Sequence, residues 1–247
     1  MSAAGPPVRT DLPTPDSALV IVAHPDDAEF QCGATLAKWA DAGSTLHYVV
    51  CTDGSKGTWD PHADQRELVL VRQAEQRAAA AVLGAAGEVV FLGHVDGELD
   101  SGPAVRSQVA YEIRRLRPHV VLGHDPWKRY RLHPDHRHAG RLAVEGCVAA
   151  RDPFFFPDHD RPAHRPQVLL LFEPDEANHA ESAVGWDDRK VAALLVHESQ
   201  FAGTHDIADP DDPAQVRRFA DWVRAALAAG GEQAGLASAE LFHAVEL

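Results

Sequence analysis

Short apolar runs alternate with longer amphipathic stretches through much of the 247-residue chain, and this alternation constrains the fold more than any other feature. The apolar runs predict five strands, at 17–23, 44–52, 88–93, 119–124 and 167–172. The amphipathic stretches predict helices at 33–43, 64–83, 104–117, 135–150, 186–199 and 213–229. Strands that alternate with helices are typical of βαβ units stacked around a largely parallel sheet. We therefore predict one α/β domain over residues 1–247, with helices on both faces of a mostly parallel sheet.

The composition argues against several kinds of partner. The formal net charge is −14, so the chain lacks the basic surface that nucleic-acid phosphates or an anionic membrane require. No apolar run approaches the length of a membrane span, and residues 1–16 lack the apolar segment of a secretory signal. We predict no nucleic-acid partner, no membrane partner, and a proline-rich, poorly ordered lead-in over residues 1–16.

The cysteines indicate a cellular compartment. Cys32, Cys51 and Cys147 are odd in number and show no CxxC spacing, so we predict neither a disulfide framework nor a structural zinc knuckle. A reducing cytoplasm is the simplest location for such a chain.

A histidine and two adjacent carboxylates directly follow the first predicted strand. The sequence HPDD places His24, Asp26 and Asp27 where a buried strand gives way to a loop. Carboxylates are costly to remove from water unless something pairs with them, and a bound cation is a common partner. The motif therefore raises the question of whether further metal ligands lie downstream.

A second motif, HPDH at 133–136, follows the fourth predicted strand. In a sheet of strand order about 3-2-1-4-5, strands one and four are neighbours at the switch point where ligands bind. His24, Asp27 and His136 would then form a two-histidine, one-carboxylate set, which is typical of a catalytic zinc with an open position. Such a set binds several divalent ions, so Fe2+ or another metal could replace Zn2+.

The remaining motif residues suggest acid-base roles. If Asp27 binds the metal, Asp26 points elsewhere and can act as the general base on a metal-activated water. His133 would lie on the opposite side of the substrate carbonyl, where its imidazolium could stabilise the oxyanion and protonate the leaving amine, oriented by Asp135 or a backbone group. The alternative for Asp26 is a helix N-cap, which its position also permits.

Several motifs together resemble the LmbE-like, or PIG-L, family of metal-dependent N-acetylglucosaminyl deacetylases. They are AHPDDAEFQCG with the later HPDH, then CTDGSKG, VRQAEQRAAAAVLG, FLGHVDGEL and DDRKVAALLVHESQ, spanning residues 18 to about 201. The resemblance implies a Rossmann-like three-layer sandwich, a single zinc, and hydrolysis of an acetamide on an amino sugar or a related amide. It also implies a homo-oligomer.

Applied to this chain, the resemblance implies the same roles as the spacing. His24, Asp27 and His136 hold the metal, Asp26 is the base, and His133 with Asp135 serves the oxyanion and the leaving group. It also implies that Arg72 and Asp96 recognise sugar hydroxyls. A surface charge on a helix is the alternative for Arg72, and a tight Asp-Gly turn is the alternative for Asp96.

The function predicted is therefore a zinc-dependent hydrolase that removes an acetyl group from an N-acetylglucosamine-type sugar or glycoconjugate. One alternative keeps the machinery and changes the substrate to an amide in a thiol conjugate or a natural-product precursor. A second is a nucleotide-binding or metal-sensing module, which is disfavoured because no GxGxxG or GxxxxGK[ST] motif follows any predicted strand.

Overall fold

Strands and helices alternate along residues 8–247, the part of the chain that the computed structural model describes. The strands are β1 (Arg9–Thr10), β2 (Ser17–Val22), β3 (Thr45–Thr52), β4 (Val89–His94), β5 (Val120–His124), β6 (Val168–Phe172), β7 (His179–Ser182) and β8 (Ala239–Glu246). The helices are α1 (Asp27–Asp41), α2 (Gln65–Leu83), α3 (Pro103–Leu116), α4 (Pro134–Arg151), α5 (Asp187–Leu194) and α6 (Pro213–Ala234). A 3-10 turn (Glu198–Gln200) and a π-helical segment (Phe201–His205) connect α5 to α6.

All eight strands join one sheet in the order β1-β7-β8-β6-β5-β2-β3-β4. The five strands from β6 to β4 are parallel and stand in the predicted order, which confirms the predicted α/β architecture. The sheet differs from the prediction in detail, because β8, β7 and β1 extend it beyond β6. Strand β8 runs antiparallel to both of its neighbours, whereas β1 pairs with β7 in parallel.

Strand β2 shows why the fold has three layers. Val20 and Val22 pack into an apolar cluster with residues of α1 and α2, whereas Leu19 and Ile21 pack into a second cluster with residues of α3 and α4. Alternate side chains of a strand point to opposite faces, so a continuous apolar run is buried on both sides only when helices cover both.

Three predicted helix boundaries are wrong. Helix α6 ends at Ala234 rather than at residue 229. Helix α1 begins at Asp27 rather than at residue 33; its backbone kinks at Cys32, and the predicted stretch is the part that follows this kink. Helix α5 ends at Leu194 rather than near residue 199, since the chain tightens into the 3-10 turn.

The lead-in is better ordered than predicted. Residues 1–7 lie outside the described residues, but the prediction of poor order is wrong for β1, whose Arg9 N–H donates to the Asn178 carbonyl. Asp11 continues this pairing by donating its N–H to the Ala180 carbonyl. The edge of a sheet offers such backbone partners, and the strand at this edge, β7, was not predicted.

The proline-rich segment after α4 is held by one buried arginine. The guanidinium of Arg114 donates to the carbonyls of Ala149, Ala150, Asp152 and Phe155.

No helix within residues 8–247 combines the length and the apolarity that crossing a membrane requires.

Candidate active site

The site lies at the carboxyl edge of β2 and β5. These strands are parallel neighbours, with Ile21 in register with Gly123, so the loops that follow them meet. A cleft of about 690 Å3 opens there, and the motif residues that line it include His24, Asp26, Asp27, His133 and His136. A larger depression of about 820 Å3 runs along residues 56–66 and shares only Lys56 with the cleft. It contains no residue of HPDD or HPDH, so we place the chemistry in the cleft.

The three predicted metal ligands point at one another. Nδ1 of His24 lies 3.2 Å from Nε2 of His136 and 3.6 Å from Oδ2 of Asp27. Nε2 of His136 lies 3.2 Å from the other carboxylate oxygen of Asp27. Zinc bonds of about 2.0–2.2 Å in a tetrahedron place ligand atoms about 3.4 Å apart. The donor set and its spacing therefore fit one divalent cation.

Two groups of residues that could hold a metal share His136. One group joins His24, His133 and His136, and another joins Asp27, His124 and His136. The predicted set combines members of both groups, and we prefer it because its ring nitrogens and carboxylate face a common point.

Two buried carboxylates fix the ring of His24. Its Nε2 lies 3.2 Å from Asp135 and 3.1 Å from Asp96, so these carboxylates hold that nitrogen, while Nδ1 faces Asp27 and His136. Although burial opposes ionisation, the hydrogen bonds with His24 keep the pKa of both carboxyl groups below the ordinary value. Metal-binding histidines commonly have a carboxylate partner of this kind.

Asp135 and Asp96 thus have tasks that the sequence did not predict. Asp135 accepts from the N–H groups of Gly97 and Leu99 and contacts His24, so its hydrogen-bond partner is not His133, which it was expected to orient. Asp96 accepts the N–H of Lys56 with its second oxygen, and its role in sugar recognition stays a prediction.

Sequence reasoning missed His124, the last residue of β5. Its Nε2 lies 3.2 Å from Oδ2 of Asp27, and its ring stacks on that of His136. Burial lowers the pKa of His124 to about 4, so the ring is neutral and donates to the carboxylate. Its position at the end of a strand next to the switch point was the available signal.

Arg131 occupies the outer side of the ligand cluster. Its Nη1 lies 2.9 Å from Nδ1 of His136, and its Nη2 pairs with Glu173. A cation on Nε2 of His136 requires the ring proton on Nδ1, where it faces another donor. Metal binding therefore requires the Arg131 guanidinium to move away from this ring.

Asp26 has an unusual backbone. Its φ is +94°, a left-handed conformation that is strained for a residue with a side chain. It occupies the N-cap position of α1, but its side chain makes no capping hydrogen bond, so the N-cap alternative is wrong for the carboxylate. Burial raises the pKa of Asp26 to about 6, which suits a base that works near neutral pH.

Arg72 lies beside Asp26 but is not a surface charge. It is buried, and it donates to the carbonyls of Gly54 and Pro25 and to Oδ2 of Asp26, the last at 3.2 Å. A Cβ atom at Gly57 would press on the tip of this guanidinium, so the loop passes close to Arg72 at a glycine. Contact between Arg72 and a sugar stays a prediction.

His133 stands at the rim of the cleft. Its ring centroid lies 4.6 Å from that of His24 and 5.0 Å from that of His136. Burial and the charges of these two histidines lower its pKa, which disfavours the imidazolium that we expected at rest.

Two aromatic side chains, Phe30 and Trp222, also line the cleft. Trp222 of α6 is 58% exposed and lines the cleft, and its ring meets that of Phe30 edge to face at 6.2 Å. Helix α6 carries no motif, so nothing in the sequence connected Trp222 with the site.

Fold and site together define a class, that of α/β proteins with a cluster of two histidines and one carboxylate at the switch point of a mostly parallel sheet. The family model described as GlcNAc-PI de-N-acetylase (PIG-L) matches residues 19–147. The chain belongs to this family, which confirms the resemblance seen in its motifs.

Three relatives illustrate the similarity. The diacetylchitobiose deacetylase of Thermococcus kodakarensis is 36% identical over 186 residues, which cover 74% of this chain and 69% of that protein. The 1D-myo-inositol 2-acetamido-2-deoxy-alpha-D-glucopyranoside deacetylase 1 of Catenulispora acidiphila is 34% identical over 62% of this chain but only 55% of its own length. The structure of the N,N'-diacetylchitobiose deacetylase of Pyrococcus horikoshii superposes with a TM-score of 0.84 at 29% identity, covering 94% of this chain and 84% of that one.

Proposed function

We propose that the chain is a metal-dependent N-deacetylase that hydrolyses the acetamide of an N-acetylglucosamine-type sugar or glycoconjugate. One observation carries this proposal. Asp26, whose backbone is strained, lies beside the cluster of His24, Asp27 and His136 in one open cleft. The deacetylases named among the relatives support the reaction class, since both act on acetylated amino sugars by name.

Zn2+ is the cation we propose, held by His24, Asp27 and His136. A divalent cation at this position would polarise the acyl oxygen and lower the pKa of water. The residues fit it, because they supply two ring nitrogens and a carboxylate at tetrahedral spacing. Fe2+ or another divalent ion fits the same donors, so the identity of the metal is part of the proposal.

Asp26 supplies the base. Its carboxylate accepts a proton as a water oxygen attacks the acetyl carbon, and the same proton passes to the amine nitrogen as the carbon–nitrogen bond breaks. The products are acetate and the free amino sugar. Arg72 favours the ionised form of Asp26 and holds it in place through a hydrogen bond.

His133 is suited to bind the acyl oxygen as a neutral ring. Its lowered pKa keeps it neutral at rest, and a neutral imidazole still carries one N–H donor. Placed at the rim, this donor can stabilise the oxyanion that develops during attack.

The shape of the cleft suits a sugar. Carboxylates and histidines line the cleft together with the aromatic side chains of Phe30 and Trp222. A pyranose likewise combines polar and apolar surface, with hydroxyls at its edge and C–H groups on its faces.

The proposal also includes a cytoplasmic location, which rests on the cysteine usage, and a homo-oligomeric state, which rests on the family resemblance.

The test removes and restores the metal. The protein is stripped with a chelator, given one equivalent of Zn2+, and assayed for primary-amine release from N-acetylglucosamine, diacetylchitobiose and an N-acetylglucosaminyl inositol. We expect release that depends on Zn2+ and disappears in His136→Ala. His62→Ala, which changes an exposed histidine outside the cleft, should behave like the wild type.

Two outcomes would contradict parts of the proposal. Release from acylated thiol conjugates but from none of the sugars would keep the reaction and replace the substrate. Tight nucleotide binding without any hydrolysis would support the binding-module alternative.

A further inference from the structure

Two residues one helical turn apart on α2 hold the Pro25–Asp26 segment. Arg72 donates to the carbonyl of Pro25 and the carboxylate of Asp26. Gln76 accepts the backbone N–H of Asp26 on its Oε1, at 2.9 Å. Residues spaced by four share a face of a helix, so one face of α2 contacts both the backbone and the side chain of Asp26.

The orientation of the Gln76 amide is fixed from behind. Its Nε2 donates to Oε1 of Glu29 at 2.8 Å, and on the other side the backbone N–H of Asp26 can only donate. The amide oxygen must therefore face Asp26. The second oxygen of Glu29 lies 3.5 Å from Nε2 of His197, and all three of these side chains are fully buried.

We infer that Gln76, oriented by Glu29, is a positioning residue that keeps Asp26 in its left-handed conformation. The inference rests on the proposed function, in which Asp26 is the base. Without an acceptor, the Asp26 N–H would lie buried and unpaired, which is unfavourable. The residue would then relax to a common N-cap conformation, and its carboxylate would turn toward the first N–H groups of α1 and away from the cleft.

The first variant removes the acceptor with little change in volume. In Gln76→Met we expect kcat for N-acetylglucosaminide hydrolysis to fall about 100-fold, since a displacement near 1 Å has that effect on catalytic groups. KM and Zn2+ affinity should not change, because neither the cleft wall nor the metal ligands are altered. Gln73→Glu, a change on the same helix outside this network, is the matched control.

A reciprocal exchange separates positioning from folding. The double variant Glu29→Gln with Gln76→Glu keeps both hydrogen bonds. The carboxylate at position 76 accepts the Asp26 N–H, and the amide at position 29 donates to that carboxylate. We expect this variant to recover at least about tenfold of the lost kcat. A double variant that folds but stays as slow as Gln76→Met would overturn the inference, as would near wild-type kcat in Gln76→Met.

A crystal structure of Gln76→Met gives a readout that does not require activity. We expect φ of Asp26 to become negative and its carboxylate to accept an N–H of α1. An unchanged φ would overturn the inference. If the wild type releases no amine from any acetylated sugar, the proposed function fails, and φ of Asp26 still decides whether Gln76 holds this residue.

Discussion

The imidazole Nε2 of His124 lies 3.2 Å from Oδ2 of Asp27, while the His124 ring stacks on that of His136 with centroids 4.4 Å apart. One buried ring thus contacts two proposed metal ligands, one by a hydrogen bond and one by packing.

His124→Phe should weaken metal binding. Phenylalanine keeps the stacking on His136 but removes the imidazole donor from Oδ2 of Asp27, which then retains only the backbone N–H of His24. Losing such a side-chain partner commonly lowers metal affinity about 10–100-fold. Competition between the protein and a chelating dye measures the change. His62→Phe should leave affinity unaltered, and equal affinities for His124→Phe and the wild type would contradict the positioning role.

Asp26→Asn should separate chemistry from metal binding. The amide cannot accept the proton of the attacking water, so kcat should fall by about 10²- to 10⁴-fold. The three metal ligands are unchanged, so Zn2+ content should stay at one equivalent. Metal analysis and amine release on the same preparation test this, and near wild-type turnover would remove Asp26 from the role of base.

Trp222→Ala should raise KM for sugar substrates with little change in kcat. An aromatic contact is worth on the order of 1 kcal/mol beyond area burial, so losing it corresponds to roughly a fivefold higher KM. Trp222→Phe should recover part of the loss. Trp127→Ala is the matched control, because Trp127 is 70% exposed and does not line the cleft. A KM unaffected by Trp222→Ala would exclude Trp222 from substrate binding.

His205 should make the protein acid-sensitive. Burial, with the nearby charges of His197 and Arg72, lowers its pKa from 6.5 to about 4. Its stacking on Phe219 buries both ring nitrogens, and within residues 8–247 neither has a hydrogen-bond partner. Because the unfolded chain binds the proton more readily, stability is fully present above pH 6.5 and is lost as the pH falls to about 4.

Thermal unfolding between pH 7 and pH 4 tests this prediction. The wild-type Tm should fall more steeply across that window than the Tm of His205→Phe, which keeps the aromatic stack and removes the titrating group. The pKa of His124 is also lowered, but it contributes equally to both proteins and cancels in the comparison. Parallel Tm curves would show that His205 does not titrate on unfolding.

The sequence was most informative where chemistry and topology coincide. His24, Asp27 and His136 could be placed together because each follows a strand whose neighbours were predictable from βαβ order. Buried strands reveal themselves by continuous apolar runs, which is why the central five strands were found.

The rest depends on tertiary contacts that no local pattern encodes. The partner of Asp135 is His24 rather than His133 because of how the loops meet in space. Trp222 belongs to an ordinary amphipathic helix, and only its packing beside Phe30 brings it to the cleft. Strand β8 was missed because it follows a long helix and pairs with strands that lie far before it in the sequence.

The placement of β8 has a consequence for synthesis on the ribosome. Strand β6 pairs with β5 on one edge, but its other edge pairs only with β8, which ends at residue 246, and β7, complete by residue 182, reaches β6 only through β8. While more than fifty residues are translated, the exposed backbone edge of β6 has no partner and is open to pairing with other nascent chains. We expect the growing chain to need chaperone protection over that interval, even though the β2–β5 half can already assemble.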